Sequence, residues 1–110
     1  MIRVVICLAI LSVAGAASAA PSDAKDKGEA VFAAQKCSLC HSVDGKGNAK
    51  GSLDEVGSKL TAAEIHSWIV DAKGMTAKTN AARKPAMKAY TLPKEDVDAL
   101  VAYLSVMKKK

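Results

Sequence analysis

Aromatic side chains are scarce: one Phe, one Trp and two Tyr make up 4% of 110 residues. Phe32, Trp68, Tyr90 and Tyr103 are the only large rings available to a core. The length allows one domain, and a domain of this size is marginal in the surface it can bury. Strand patterning is also missing. No stretch alternates apolar and polar side chains, which argues against a sheet architecture. The longest apolar run, residues 4–14, is interrupted by Ser12 and dilutes into Gly15, Ser18 and Pro21. It stops short of the ~20 residues a spanning helix needs, so stable membrane insertion is not expected. Acidic residues are in the minority, 11 against 16 Lys and Arg, for a net charge of +5. That balance does not point to nucleic acid, because no basic run is interleaved with aromatics and no nucleic-acid motif is present. Gly45, Gly47, Asn48 and Gly51 form a glycine-rich stretch. It lacks the lysine-plus-hydroxyl ending and the strand context of a phosphate-binding loop, and is expected to be a plain loop.

What is present begins with an export signal. Met1-Ile2-Arg3 is a short positive start, the apolar run follows, and Ala17-Ser18-Ala19 is a small-x-small cleavage site. Residues 1–19 are expected to be cleaved, leaving residues 20–110 as the mature domain. Cys7 leaves with the signal, and its position does not fit lipid modification. Two cysteines remain, Cys37 and Cys40, and loss of Arg3 lowers the charge to +4. An even cysteine pair in an exported chain usually means a disulfide.

The surroundings of those cysteines point elsewhere. Cys37-Ser38-Leu39-Cys40-His41 is the C-x-x-C-H signature of c-type haem attachment. Each thiol can form a thioether with one vinyl group of the porphyrin, and His41 is then held under the iron as the proximal ligand. One covalent haem c would also compensate for the poor aromatic content, because an apolar macrocycle fills the core.

Helical signals dominate the mature chain. The first helix is predicted over 22–36, with Ser22 as cap, Asp23 and Asp26 in its first turns, and Gly28, Val31, Phe32 and Gln35 on one stripe. Gly28 costs about 1 kcal/mol in a helix interior relative to alanine, a cost tolerated where another backbone passes close by. Thr61-Ala62-Ala63-Glu64 is a capping box that opens a helix over 62–72, ended by Gly74. Residues 75–84 have no clear period. Residues 84–90 read as an extended loop, since Pro85 disfavours a helical Lys84. The last helix is predicted over 93–108, with Glu95 and Asp96 at its positive end and Lys108, Lys109 and Lys110 at its negative end. Glu95 and Asp96 are first-turn helix charges, not a catalytic pair.

The second axial position has several candidates. Met/His ligation suits a low-spin carrier and raises the reduction potential. Met87, in a loop two residues after Pro85, is favoured. Met75 is second, and His66, Lys84, Lys88 or an open site follow. Met107 fits core packing better. An open or labile site would permit ligand binding or peroxidase chemistry. Cys37, Cys40, His41 and His66 lack the spacing of a structural zinc module, and no βαβ pattern supports a thioredoxin-like dithiol.

The mature chain resembles a small monohaem class I cytochrome c. The resemblance rests on Gly28-x-x-x-Phe32 upstream of Cys37-x-x-Cys40-His41, on Asp44-Gly45-Lys46-Gly47 and Gly51-Ser52-Leu53, on Pro85-x-Met87, and on Leu92 with the stretch from Val97 to Leu104. It implies an all-α fold, three main helices plus short helices and loops wrapped around one covalent haem. It also implies contact of Gly28 and Phe32 with Leu100 and Tyr103. Trp68, Arg83 and Tyr90 resemble positions that contact haem propionates or pack on the ring. Two departures stand out. Ser52 replaces the family's usual proline near the carbonyl that orients the proximal histidine, a hydrogen bond a serine carbonyl can also accept. Lys88 follows Met87 where many members have proline. The resemblance implies a monomeric periplasmic one-electron carrier rather than an enzyme. The lysines are expected to steer it toward redox proteins with acidic docking faces.

Overall fold

The computed structural model describes residues 21–110, together with Gly15. The expected signal at residues 1–19 lies outside the described residues apart from Gly15. Helix α1 spans Pro21–Ala34. It begins one residue before the predicted cap, with proline in the first turn, where its missing N–H costs nothing. Of the two predicted acids only Asp23 lies in that turn. The helix also stops short of Lys36, which adopts a left-handed backbone with φ 56°. That residue turns the chain directly into a 3-10 turn, Cys37–Leu39.

A small antiparallel ladder follows, β1 (Ser42–Val43) against β2 (Lys46–Gly47), pairing Ser42 with Gly47 and Val43 with Lys46. The expectation of no strand is corrected to this extent. Asp44 and Gly45, at φ 51° and 77°, supply the two positive-φ residues of a tight hairpin. Two-residue strands are too short to leave an alternating pattern. A second 3-10 turn spans Ala49–Gly51, and α2 spans Val56–Lys59.

The capping box forms as predicted at the start of α3, Ala62–Val70. Glu64 N–H donates to Thr61 Oγ1 and Thr61 N–H to Glu64 Oε1, both at 3.1 Å. The predicted end is corrected. Helix α3 stops at Val70, and Asp71 starts a new helix, α4 (Ala72–Thr79), by accepting from Gly74 N–H at 3.2 Å. Gly74 is therefore inside a helix, not after one, and its missing Cβ leaves room for the Asp71 carboxylate.

Helix α5 spans Lys94–Ser105, with Pro93 at its cap position and Glu95 and Asp96 in its first turn. It ends three residues before the predicted boundary, so the C-terminal lysines do not extend it. They tie back instead. Lys108 Nζ donates to the Gly57 carbonyl at 2.5 Å and Lys109 N–H to Ser58 Oγ at 2.7 Å. Gly57 N–H donates to the Met107 carbonyl at 2.8 Å.

The core joins α1, α3 and α5 through Val31, Phe32, Ile65, Ile69, Val97, Leu100, Tyr103 and Leu104. Helices α1 and α5 make the closest approach. A Cβ on Gly28 would strike the Ala99 carbonyl oxygen and sit 2.5 Å from Tyr103 Cβ. The glycine's propensity cost is thus the condition for that contact. Phe32 and Tyr103 meet edge-to-face, 5.9 Å between centroids at 66°, a geometry worth about 0.5–1.5 kcal/mol beyond burial. Lys27 and Asp96 pair across the same contact at 3.5 Å. Among the described residues no helix is long and apolar enough to cross a membrane.

Candidate functional site

The three core helices pack together yet leave a space along one side. They wall a cavity of about 900 Å³, at the upper end of the range for ligand pockets. Phe32 from α1, Ile65, Trp68 and Ile69 from α3, and Leu100 and Leu104 from α5 form one side. The attachment turn forms another with Cys37, Cys40 and His41, continued by Leu53, Val56 and Leu60. The segment between α4 and α5 completes the enclosure with Arg83, Pro85, Met87 and Tyr90. Tyr90 N–H holds that segment to α3 by donating to the Ile69 carbonyl at 2.8 Å. Lys88 Nζ lies 5.0 Å from the centre of the Tyr90 ring, a cation–π contact on the cavity rim.

The attachment turn is held at both ends. Leu39 N–H donates to the Lys36 carbonyl at 3.1 Å, and His41 N–H to Cys37 at 2.9 Å. Cys37 is half-buried and Cys40 exposed, and both thiols are free. Burial pushes the Cys37 thiol up, so it is neutral at ordinary pH. His41 Nδ1 lies 3.0 Å from the Gly51 carbonyl. A carbonyl only accepts, so Nδ1 carries the proton and Nε2 keeps its lone pair. Burial lowers the His41 pKa, outweighing the Gly51 hydrogen bond that raises it, and the Arg83 charge lowers it further. A neutral imidazole with a free Nε2 is the form that binds a metal. The acceptor is Gly51, one residue before Ser52, so the serine carbonyl considered in the sequence is not the one used. A side chain at Gly51 would meet the Cys40 carbonyl and the Arg83 guanidinium, which packs over this loop.

Nine sequence candidates therefore share one cavity: Cys37, Cys40, His41, Met87, Trp68, Arg83 and Tyr90, with Lys84 and Lys88. Trp68, Met87 and Tyr90 are half-buried and Arg83 is exposed. Met75 is not on the wall. It is buried within α4, 7% exposed, on a helix the sequence left undefined. His66 is exposed on α3 and does not line the cavity. Among the described residues no three His, Cys, Asp or Glu side chains cluster as metal ligands, so the four-residue zinc set does not converge. The sequence reading missed two functional positions. Gly51 supplies the orienting carbonyl, and Asn48 binds the attachment turn through several hydrogen bonds. Asn48 was visible only as a loop former, and Gly51 also as part of a segment that carries the resemblance, without its carbonyl's role.

The residues fit a haem. The cavity is apolar on its helical side, both attachment thiols and a metal-ready imidazole stand on one wall, and a thioether stands on another. A helical fold closed around such a cavity, with a C-x-x-C-H turn on its wall, defines a protein built for covalent haem. The chain belongs to the cytochrome c family, whose model matches residues 25–108. That family binds haem c covalently, and its members are generally electron carriers rather than enzymes. Comparison with curated proteins and with solved structures found no match.

Proposed function

We propose that the protein is a periplasmic one-electron carrier with His41 and Met87 as axial ligands. The observation that carries this reading is that both side chains line one apolar cavity while Met75 and His66 do not. Bound haem c supplies a single Fe(III)/Fe(II) couple. Cys37 and Cys40 anchor it through thioethers. His41 offers Nε2, with its ring orientation fixed through Gly51. Met87 offers a soft sulfur that favours the ferrous state. Trp68, Arg83 and Tyr90 line the same cavity and would pack on or pair with the haem edge. The apolar helical wall would keep water from a bound haem. Residues 1–19 direct export and are removed, leaving residues 20–110 as the working domain. Lys36, Lys50, Arg83, Lys84 and Lys88 all line the cavity, and this basic rim favours redox partners with acidic faces.

Met87→Ala tests the ligand set. The ferrous variant is expected to bind carbon monoxide rapidly at neutral pH, and its reduction potential is expected to fall, while Met75→Ala keeps both wild-type properties. Opening of the iron by Met75→Ala instead would reverse the assignment.

A further inference from the structure

Asn48 occupies an unusual position for a loop residue. Its backbone N–H is shared between the carbonyls of Ser38 and His41, both at 3.1 Å. Its side-chain Nδ2 donates to the Leu39 carbonyl at 3.2 Å. Its Oδ1 accepts from Lys50 N–H at 3.0 Å, and its own carbonyl accepts from Gly51 N–H at 3.1 Å. One residue therefore engages three carbonyls of the attachment motif and two N–H groups of the turn that ends at Gly51. Gly47 makes this approach possible. It sits at φ 110°, where only glycine is at ease, and a Cβ there would collide with the His41 carbonyl.

The two sides that Asn48 joins are the two ends of one hydrogen bond. His41, at the end of the attachment motif, donates from Nδ1 to Gly51 O, at the end of the 49–51 turn. We infer that Asn48 is a positioning residue for the haem centre, setting the His41–Gly51 hydrogen bond: its backbone bonds to the His41 carbonyl and the Gly51 N–H, and its side chain ties Leu39 to Lys50, shortly before each end. The inference rests on His41 being the proximal ligand.

The consequence has a sign. A hydrogen bond from the distal nitrogen of a ligating imidazole raises the ring's basicity toward the metal. A more basic ligand stabilises the ferric state. Removing the Asn48 side chain leaves its backbone bonds in place, so the turn persists. It releases Leu39 and uncaps the 49–51 turn. The Gly51 carbonyl then holds the ring proton less firmly, the imidazole donates less, and the ferrous state gains.

The test uses the holoprotein with Asn48→Ala, a potentiometric titration, and solvent exchange of the His41 ring N–H followed by NMR in the ferrous state. The ferric/ferrous equilibrium is expected to shift toward ferrous by about threefold, the scale of a partly lost hydrogen bond, with faster exchange of the ring proton. Thr61→Ala, which weakens the α3 cap remote from this turn in sequence, is expected to lower stability and leave both readouts unchanged. Asn48→Ser keeps an acceptor for Lys50 N–H but cannot span to the Leu39 carbonyl. It is expected to shift both readouts in the same direction by less, and serves if the alanine variant does not mature. Wild-type potential and exchange in the variants, with only stability reduced, would overturn the positioning role, as would a shift toward ferric. If wild type shows no haem-shifted histidine ring N–H, the ligation reading fails and takes this inference with it. If that signal is present and the variants leave it unmoved, the positioning inference fails alone.

Discussion

Gly28→Ala sets two physical effects against each other. In an exposed helix interior this substitution stabilises by about 1 kcal/mol, because alanine loses less backbone entropy. At Gly28 the added Cβ meets the Ala99 carbonyl oxygen, Tyr103 Cβ at 2.5 Å and the Ala99 carbonyl carbon at 2.8 Å. Two of these are backbone atoms and cannot swing aside, so α1 and α5 must separate. Overpacking of this kind costs about 1–3 kcal/mol, occasionally more. Separation also loosens the Phe32–Tyr103 edge contact, worth about 0.5–1.5 kcal/mol. Subtracting the propensity gain leaves a net loss of roughly 1–3 kcal/mol. At about 4–8 °C per kcal/mol for a domain of this size, Tm should fall by about 4–24 °C. Thermal unfolding of the oxidised holoprotein, followed by far-ultraviolet circular dichroism, measures it. An unchanged or raised Tm would mean that the α1–α5 contact is not closed at Gly28, and the steric reasoning would fail.

Two further outcomes follow from the fold and its cavity. Hydrogen bonding with Thr61, first of all the bond its backbone N–H donates, holds the Glu64 carboxylate below its ordinary value. A depressed carboxylate contributes stability above its unfolded pKa and loses it as pH falls through the folded value. Denaturant midpoints of wild type and Glu64→Gln should therefore differ at neutral pH and converge in acid, whereas a constant gap would separate the cap from Glu64 ionisation. Cys37→Ser with Cys40→Ser removes the proposed anchors of the haem that would fill a cavity of about 900 Å³. Circular dichroism of the purified chain should show little native helix, and a cooperative unfolding transition from native helix content would contradict this.

Local signals were the most legible part of the sequence. The Thr61–Glu64 box closes within four residues, and it forms where predicted. Gly28 was readable because a glycine in a helical stripe has few explanations other than a close neighbour. The break between α3 and α4 was not, since Asp71 caps a new helix with the residue type that also ends one, and Gly74 looked like a terminator. The tie from Lys108 to Gly57 spans 51 residues, and no local pattern encodes such a contact. The attachment motif is likewise local and specific. The identity of the carbonyl that orients His41 is not, because Gly51 and Ser52 differ by one residue and only the hairpin register distinguishes them. Met75 and Met87 are equivalent as residue types. What separates them is α4, which buries Met75, while the extended segment after it carries Met87 to the cavity wall.

The central claim is that a haem is joined covalently to this chain at Cys37 and Cys40. Intact mass, measured on the purified exported protein together with its reduced-minus-oxidised absorption spectrum, tests it most directly. The account predicts the mass of the processed chain plus one haem, unchanged by denaturation, with the sharp visible bands of a c-type centre on reduction. A colourless product with the mass of the bare processed chain would contradict it.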